Sequence, residues 1–244
     1  MADPKQSTAA VDPLTYMQAA RILAENGDAV PDELETTLAE QARPLFADPS
    51  VARDELWAIL ATPERDRGLR WLNKHGILDE LIPSWAGNSV RREFRLNAVE
   101  QVHKEVWRDG LDEGVFKLIC DTHDVVVDQR LNRWALTALA TLLAGGDVED
   151  PRTWTNFVRR DLHRLGATEA EIVWITGILL NFNRALLFLR GNKVELQLKP
   201  ECAVAGLSTL SLSDPEMMTD AVQRVNQTLA EDVNPLDRVS EEDD

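Results

Sequence analysis

The segment CDTHDVVVDQR, residues 120–130, places Asp121, His123, Asp124 and Asp128 within a few positions, beside one of only two cysteines and one of only four histidines. Imidazole and carboxylate groups are the usual ligands of a divalent ion that activates water, so this composition suits a hydrolytic metal centre. Such a centre needs ligands from several helices, and the further candidates are His103, Asp109 and Asp147. If residues 121–128 are helical, Asp121, Asp124 and Asp128 share one face while His123 points about 100° away from Asp124, a poor chelate. The reading preferred on these grounds is the solvated acidic face of a helix whose opposite side buries Ile119, Val126 and Val127. The alternative is a metal-dependent phosphohydrolase using His103, His123, Asp124 and Asp128. His75 and His163 are expected in the last turns of helices, where a partly charged imidazole suits the dipole.

Other chemistries lack their residues. There is no G-x-S-x-G elbow, and GLSTLSLS has no strand-turn-helix context. LAGGDVED has two glycines but no Lys-Ser/Thr, so no phosphate-binding loop is expected and no cofactor is implied. Cys120 and Cys202 show no Cys-x-x-Cys spacing, which argues against a disulfide framework or a structural zinc site. The polar start MADPKQSTAAVDP has no signal-peptide pattern, and EIVWITGILLNFNRALLFLRG is interrupted by Asn181, Asn183 and Arg184. A cytoplasmic protein with a buried core helix and no membrane span is expected.

The formal net charge is -16, and residues 214–244 hold ten acids against two bases, half of the excess. An acidic body repels phosphate backbones, so RNA binding would need a local basic face. Candidates are Arg91, Arg92 and Arg95, with further clusters at Arg65, Arg67, Arg70 and Lys74 and at Arg159, Arg160 and Arg164. Most such arginines serve as surface ion-pair partners.

Apolar spacing predicts an all-α array. DPLTYMQAARILAENG should be a helix closed by Gly27, VPDELETTLAEQARPLF a second, and residues 48–85 three short helices opened by Ser50 and punctuated by Thr62-Pro63. Phe94, Ala98, Val102 and Val106 mark a helix stopped at Gly110, and RLNRWALTALATLLAGGD, TWTNFVRRDLHRLG and a segment capped by Thr168 with Glu171 supply three more. KVELQLKP alternates like a short strand with no partner in its own chain. A tail helix follows, opened by Ser213 and Glu216, with Met218, Val222, Val225 and Leu229 on one narrow face that either packs on the body or docks a partner. Seven tryptophans are expected mainly as core side chains.

Two passages resemble the C-terminal region of the CCA-adding tRNA nucleotidyltransferase and poly(A) polymerase family and of PII uridylyltransferases. In RDELWAILATPERDRGLRWLNKHGILDELIPSW, the residues Glu55, Leu56, Ile59, Leu60, Leu69, Leu72, Gly76, Ile77, Leu78, Leu81 and Pro83 fit that family's helical segment, with Ser84 where a glutamate is usual. NRWALTALATLLAGGD, followed by RRDLHRLGATEAEIVWITGILLNFNRALL, is similar to the HD domain that follows, whose signature helix runs into a His-Asp pair. Ala144 and Gly145 stand at that pair here, and Asn183 where another histidine is common. The family's nucleotidyltransferase head has no counterpart in the dozen residues before Leu14. The resemblance therefore implies an HD-like fold from which the chemistry has been removed.

The organisation expected is a disordered 1–13, a helical segment over 14–88 resembling the nucleotidyltransferase RNA-binding region, a degenerate HD-like domain over 89–191, a strand plus tail helix over 192–230, and an acidic disordered tail over 231–244. The function expected is a catalytically inactive binding or regulatory module acting through a protein partner or as a homodimer. The alternatives are the phosphohydrolase above and an RNA-binding accessory protein.

Overall fold

A computed structural model describes residues 12–27, 30, 35–36, 46, 48–86, 91–128, 131–144 and 150–233; the helix expected over residues 30–46, the glycines of LLAGGD and both terminal tails lie outside these. The fold is all-α. Among the described residues there are twelve α-helices, two short 3-10 turns and one two-stranded antiparallel ribbon.

The first group of helices is α1 (Pro13–Asn26), α2 (Arg53–Ala61), α3 (Arg65–Lys74), α4 (Ile77–Leu81) and α5 (Pro83–Ala86). Asp12 caps α1 by accepting from Leu14 N, and Gly27 closes it in the left-handed conformation, as the sequence predicts. Ser50 does not open α2. Asp48 does so indirectly, accepting from Ser50 N to start a 3-10 turn, Pro49–Ala52, that leads into the helix. Proline at the first turn position favours that tight entry.

The second group is α6 (Arg92–His103), α7 (Glu113–His123), the ribbon β1 (Val126–Asp128) with β2 (Leu131–Asn132), and α8 (Arg133–Leu143). Here the structure corrects the expected acidic helix face: α7 stops at His123, and Val126 is an exposed strand residue rather than a buried one. Three consecutive β-branched valines, Val125 to Val127, disfavour helix and suit the extended backbone.

The last group is α9 (Pro151–Arg164), α10 (Glu169–Leu189), α11 (Pro200–Ser213) and α12 (Met218–Val233). The Thr168/Glu171 capping box of α10 is present. The expected strand is not. Residues 192–199 are extended, with Leu198 buried and its neighbours Gln197 and Lys199 exposed, but they pair with no ladder; instead Arg184 Nη2 donates to Glu195 O. The alternation was real, and it reflects one side of an extended connection lying on α10 rather than a sheet edge.

Helix α11 is the element that apolar periodicity missed. Every residue from Cys202 to Leu210 is buried, and the helix packs against α6, α7, α8, α10 and α12. A helix surrounded on all sides has no polar face to set a 3.6-residue period, and its alanine, glycine, serine and threonine give a weak apolar signal. Residues 192–230 are therefore no appendage. One continuous hydrophobic cluster runs from Tyr16 to Leu229 and includes α11 and α12. The box expected at Ser213 and Glu216 is replaced by a 3-10 turn, Pro215–Met217, and Asp214 accepts instead from Arg190, at 3.0 Å from Nε and 2.6 Å from Nη2.

Close packing between α1 and α3 sets a testable limit. A methyl at Gly68 would lie 2.8 Å from Ala20 O and 3.1 Å from Ala24 Cβ, whereas one at Gly177 on α10 would meet nothing within 4 Å. Gly68→Ala is expected to destabilise the protein by about 1–3 kcal/mol despite its better helix propensity, and Gly177→Ala to stabilise it by about 0.5–1 kcal/mol. Urea midpoints of the two variants check both signs.

Candidate functional site

His123 sits at the end of α7, fully buried. Its Nδ1 lies 2.8 Å from Ile119 O, the carbonyl one turn back, which assigns the ring proton to that nitrogen. The ring stacks on Trp134 with centroids 4.1 Å apart and meets Trp174 edge-on at 5.9 Å; Trp107 stacks on the far side of Trp134 at 5.4 Å. Arg133 closes the box, its guanidinium 4.4 Å from the Trp174 ring centre and donating to Thr122 O. Nε2, the atom a metal would need, is buried without a hydrogen-bond partner. Burial pushes the His123 pKa down to about 4, so the ring is neutral at pH 7.

Asp124 does not join it. Its carboxylate is exposed and accepts from Trp134 Nε1 at 2.9 Å, and Asp121 is exposed as well. The side chains of His103 and Asp128, and the whole of Asp147, lie outside the described residues; Asp109 is exposed beside Gly110. Among the described residues no group of three or more His, Cys, Asp or Glu side chains is placed to hold a metal ion. At the other end of α8, Ala144 is fully buried, and Trp154 Nε1 donates to the adjacent Leu143 O at 2.8 Å. Of the two positions where the resemblance would put a His-Asp pair, Ala144 is packed, and Gly145 lies outside the described residues.

The other histidines divide. His163 is exposed in the last turn of α9, as expected. His75 ends α3 but does not favour charge there: it packs on Trp71 at 4.2 Å and Tyr16 at 5.5 Å, and burial followed by the adjacent Lys74 lowers its pKa.

The clusters at residues 65–74 and 91–95 do not form a basic face. Arg91 is exposed, but Arg92 pairs with Asp79 at 2.7 Å and lies over Trp85, and Arg95 is buried over the rings of Phe94 and Phe182. Arg95 is thereby removed from the expected RNA-binding set: desolvation pulls its pKa down to about 10, and its Nε and Nη1 have no partner. In the first cluster Arg67 pairs with Glu64, Arg70 with Glu93 and Glu100, and Lys74 with Glu35, the ion-pair role expected of them. Arg65 alone departs from this pattern.

The tail-helix face is spent on the protein itself. Val222, Val225 and Leu229 are buried and Met218 half-buried, with α12 packed on α7, α10 and α11. Asn226 locks the contact, donating to Gly110 O and accepting from Asp112 N, while Arg224 donates to Leu189 O. These four residues are therefore no free docking surface. Exposed apolar residues lie instead on α10, at Val173, Leu180 and Leu187, with Phe157 on α9. Five of the seven tryptophans are buried, and Trp134 and Trp174 are half-buried in the His123 box.

Sequence reasoning missed Glu171 as a structural centre. It is fully buried and accepts from Trp57 Nε1 at 2.7 Å, from Arg53 Nη2 at 3.3 Å and from Thr168 N at 2.6 Å, tying α10 to α2. The capping box made its local role legible; the reach to Trp57 spans 114 positions.

Comparison with protein-family models finds no match, and comparison with curated proteins finds none either.

Burial of a neutral His123 gives stability a pH dependence. The folded pKa, about 4, lies below the ordinary 6.5, so the unfolded chain takes up the proton first and stability falls as pH drops through that interval. The loss is expected to reach roughly 3 kcal/mol. His123→Asn, which keeps a donor for Ile119 O but cannot titrate, is expected to flatten that part of the profile, measured as the difference in urea stability between pH 7 and pH 4.

Proposed function

We propose that this chain is a catalytically silent, HD-like helical module that works by protein contact. The observation carrying this reading is the fate of His123: the histidine of the metal-like segment is spent as an aromatic packing residue, neutral, with Nε2 enclosed. The burial of Ala144 at the end of α8 supports it from the other side. The unpaired thiols of Cys120 and Cys202 fit a reducing compartment, consistent with a cytoplasmic setting. RNA binding is not carried forward, since of Arg91, Arg92 and Arg95 only the first presents an exposed side chain.

The contact surface in this reading is α10, and its occupant is a second copy of the chain. Val173, Leu180 and Leu187 recur every seven residues, the period of a helix-helix seam, and Gly177 lies open in the same stripe. Antiparallel pairing centred on Leu180 sets Leu187 against Val173 and brings Glu169 in the first turn of one copy toward Arg190 at the end of the other, with opposed helix dipoles. By length and composition α10 also passes as a membrane span, with 44% of its most apolar window buried. The exposed Asn183 and Arg184 on that helix favour a protein contact over lipid.

Two measurements test the reading. Protein purified without chelator is expected to carry no stoichiometric transition metal; a full equivalent that is lost in His123→Ala would overturn the silent assignment. Sedimentation of the full chain over a concentration series is expected to show a monomer-dimer equilibrium that Leu180→Glu shifts to monomer. A strictly monomeric wild type would rule out the second-copy contact.

A further inference from the structure

A cavity of about 160 Å³ lies between the starts of two helices, lined by Arg65, Val102, Glu105, Asn132 and Trp134. Arg65 is the first residue of α3, and Asn132 is the N-cap of α8. The N-cap of α8 thus borders the cavity, and the long side chain of Arg65 reaches it from the start of α3. Helix α8 separates it from Ala144 by eleven residues, roughly 16 Å of helix, so it is distinct from the HD-like position.

Arg65 is the unusual group. Its side chain is more than nine-tenths buried, at 8% exposure, and no carboxylate among the described residues lies within ion-pair distance. Nε donates to Thr62 O at 3.0 Å, which fixes the guanidinium plane, while Nη1 has no partner. Buried guanidinium groups are ordinarily paired, and a charge left without an anion is costly. Burial draws the Arg65 pKa down to about 10, which still leaves it protonated at pH 7. Asn132 uses its side-chain oxygen to cap Ala135 N at 3.2 Å, so the group it can offer the cavity is its amide N–H. Glu105 is the acid at the rim. It is exposed, held at a φ of 50° and paired with Arg108 at 3.3 Å, which offsets its charge toward a second anion.

We propose that this cavity binds a small oxyanion of the phosphate class, with the Arg65 guanidinium and the Asn132 amide as its donors. With Nε taken by Thr62 O and Nη1 enclosed, Nη2 is the end of the guanidinium left to donate to a phosphate oxygen, and the volume admits the ion or a small ester but no nucleotide. Asp66, the buried carboxylate next in sequence, favours the charge on Arg65 through space but makes no ion pair with it, and the ligand supplies the direct anionic contact. The site is independent of the α10 contact and of the silent HD-like position.

The test is a titration of the full chain with sodium phosphate against sodium chloride at matched ionic strength, followed by calorimetry and by thermal unfolding. Saturable, phosphate-dependent heat and a rise in Tm are expected in wild type and in the exposed-surface control Arg152→Gln, and are lost in Arg65→Gln. Should Arg65→Gln fail to fold, Glu105→Gln carries the test: removing the rim carboxylate is expected to tighten phosphate binding by about five-fold. Glycerol 3-phosphate distinguishes the free ion from an ester as the ligand, and either order of affinity supports the site. The proposal is overturned by wild type showing no saturable effect beyond chloride, by Arg65→Gln binding phosphate unchanged, by Glu105→Gln leaving the affinity unchanged or weaker, or by acetate binding as tightly as phosphate.

Discussion

Helix α11 is enclosed on every side, and that constraint governs the rest of the chain. Five other helices pack on it, so its residues must be small where backbones approach and apolar elsewhere. Gly206 shows how tight the limit is: a Cβ there would stand 2.6 Å from Leu189 Cδ1 on α10. Thr209 satisfies its hydroxyl within the helix by donating to Ala205 O, so a polar side chain enters the core without an unmet donor. Since α11 arrives late in the chain, the earlier helices cannot complete their core until residues 200–213 are in place. The tail helix α12 then covers what α11 leaves open, which is why its apolar stripe is turned inward.

A second constraint joins the N-terminal helices to this bundle. Glu171 is a buried carboxylate, and such a group is tolerated only when its oxygens are taken up. Trp57, Arg53 and its own helix cap take them up together. At the opposite edge Asp161 accepts from Ser84 N at 2.7 Å, and Arg164 donates to Glu80 O and Leu81 O, so α4 and α5 are held by the end of α9. The helices over residues 53–86 are bonded into the rest of the bundle through polar groups as well as through shared apolar packing.

The environment around α8 shows how one helix can carry two unlike ends. Its start gathers Asn132, Arg133 and Trp134 beside His123 and the small cavity; its end is sealed by Trp154 over Leu143. Electrostatics follows from this. The polar start holds a buried cation and the positive dipole end, whereas at the other end the described residues Leu143 and Ala144 are apolar and buried.

Amphipathic helices with clear punctuation were legible from the residues alone: Gly27 closing α1, Thr168 with Glu171 opening α10, and the alternation over residues 193–199 that does place one side inward. Each is a local rule, set by a cap, a turn or a period, and the all-α class follows from their sum. The metal-like spelling around His123, the basic look of Arg95 and Arg65, and the free appearance of the α12 stripe were not decidable in this way. Whether a side chain is a ligand, a surface charge or a core residue depends on which distant elements cover it. For His123 those are Trp134 and Trp174, for Arg95 Phe182, and for α12 the helices α7, α10 and α11. The sequence by itself determined the helical class, the helix ends marked by Gly27 and by Thr168 with Glu171, and the uneven acidic charge, because these depend on neighbours within a few residues. Only the tertiary structure decided that α11 is the centre and that Arg65 is buried with no ion pair among the described residues, because burial is a property of contacts made across the whole chain.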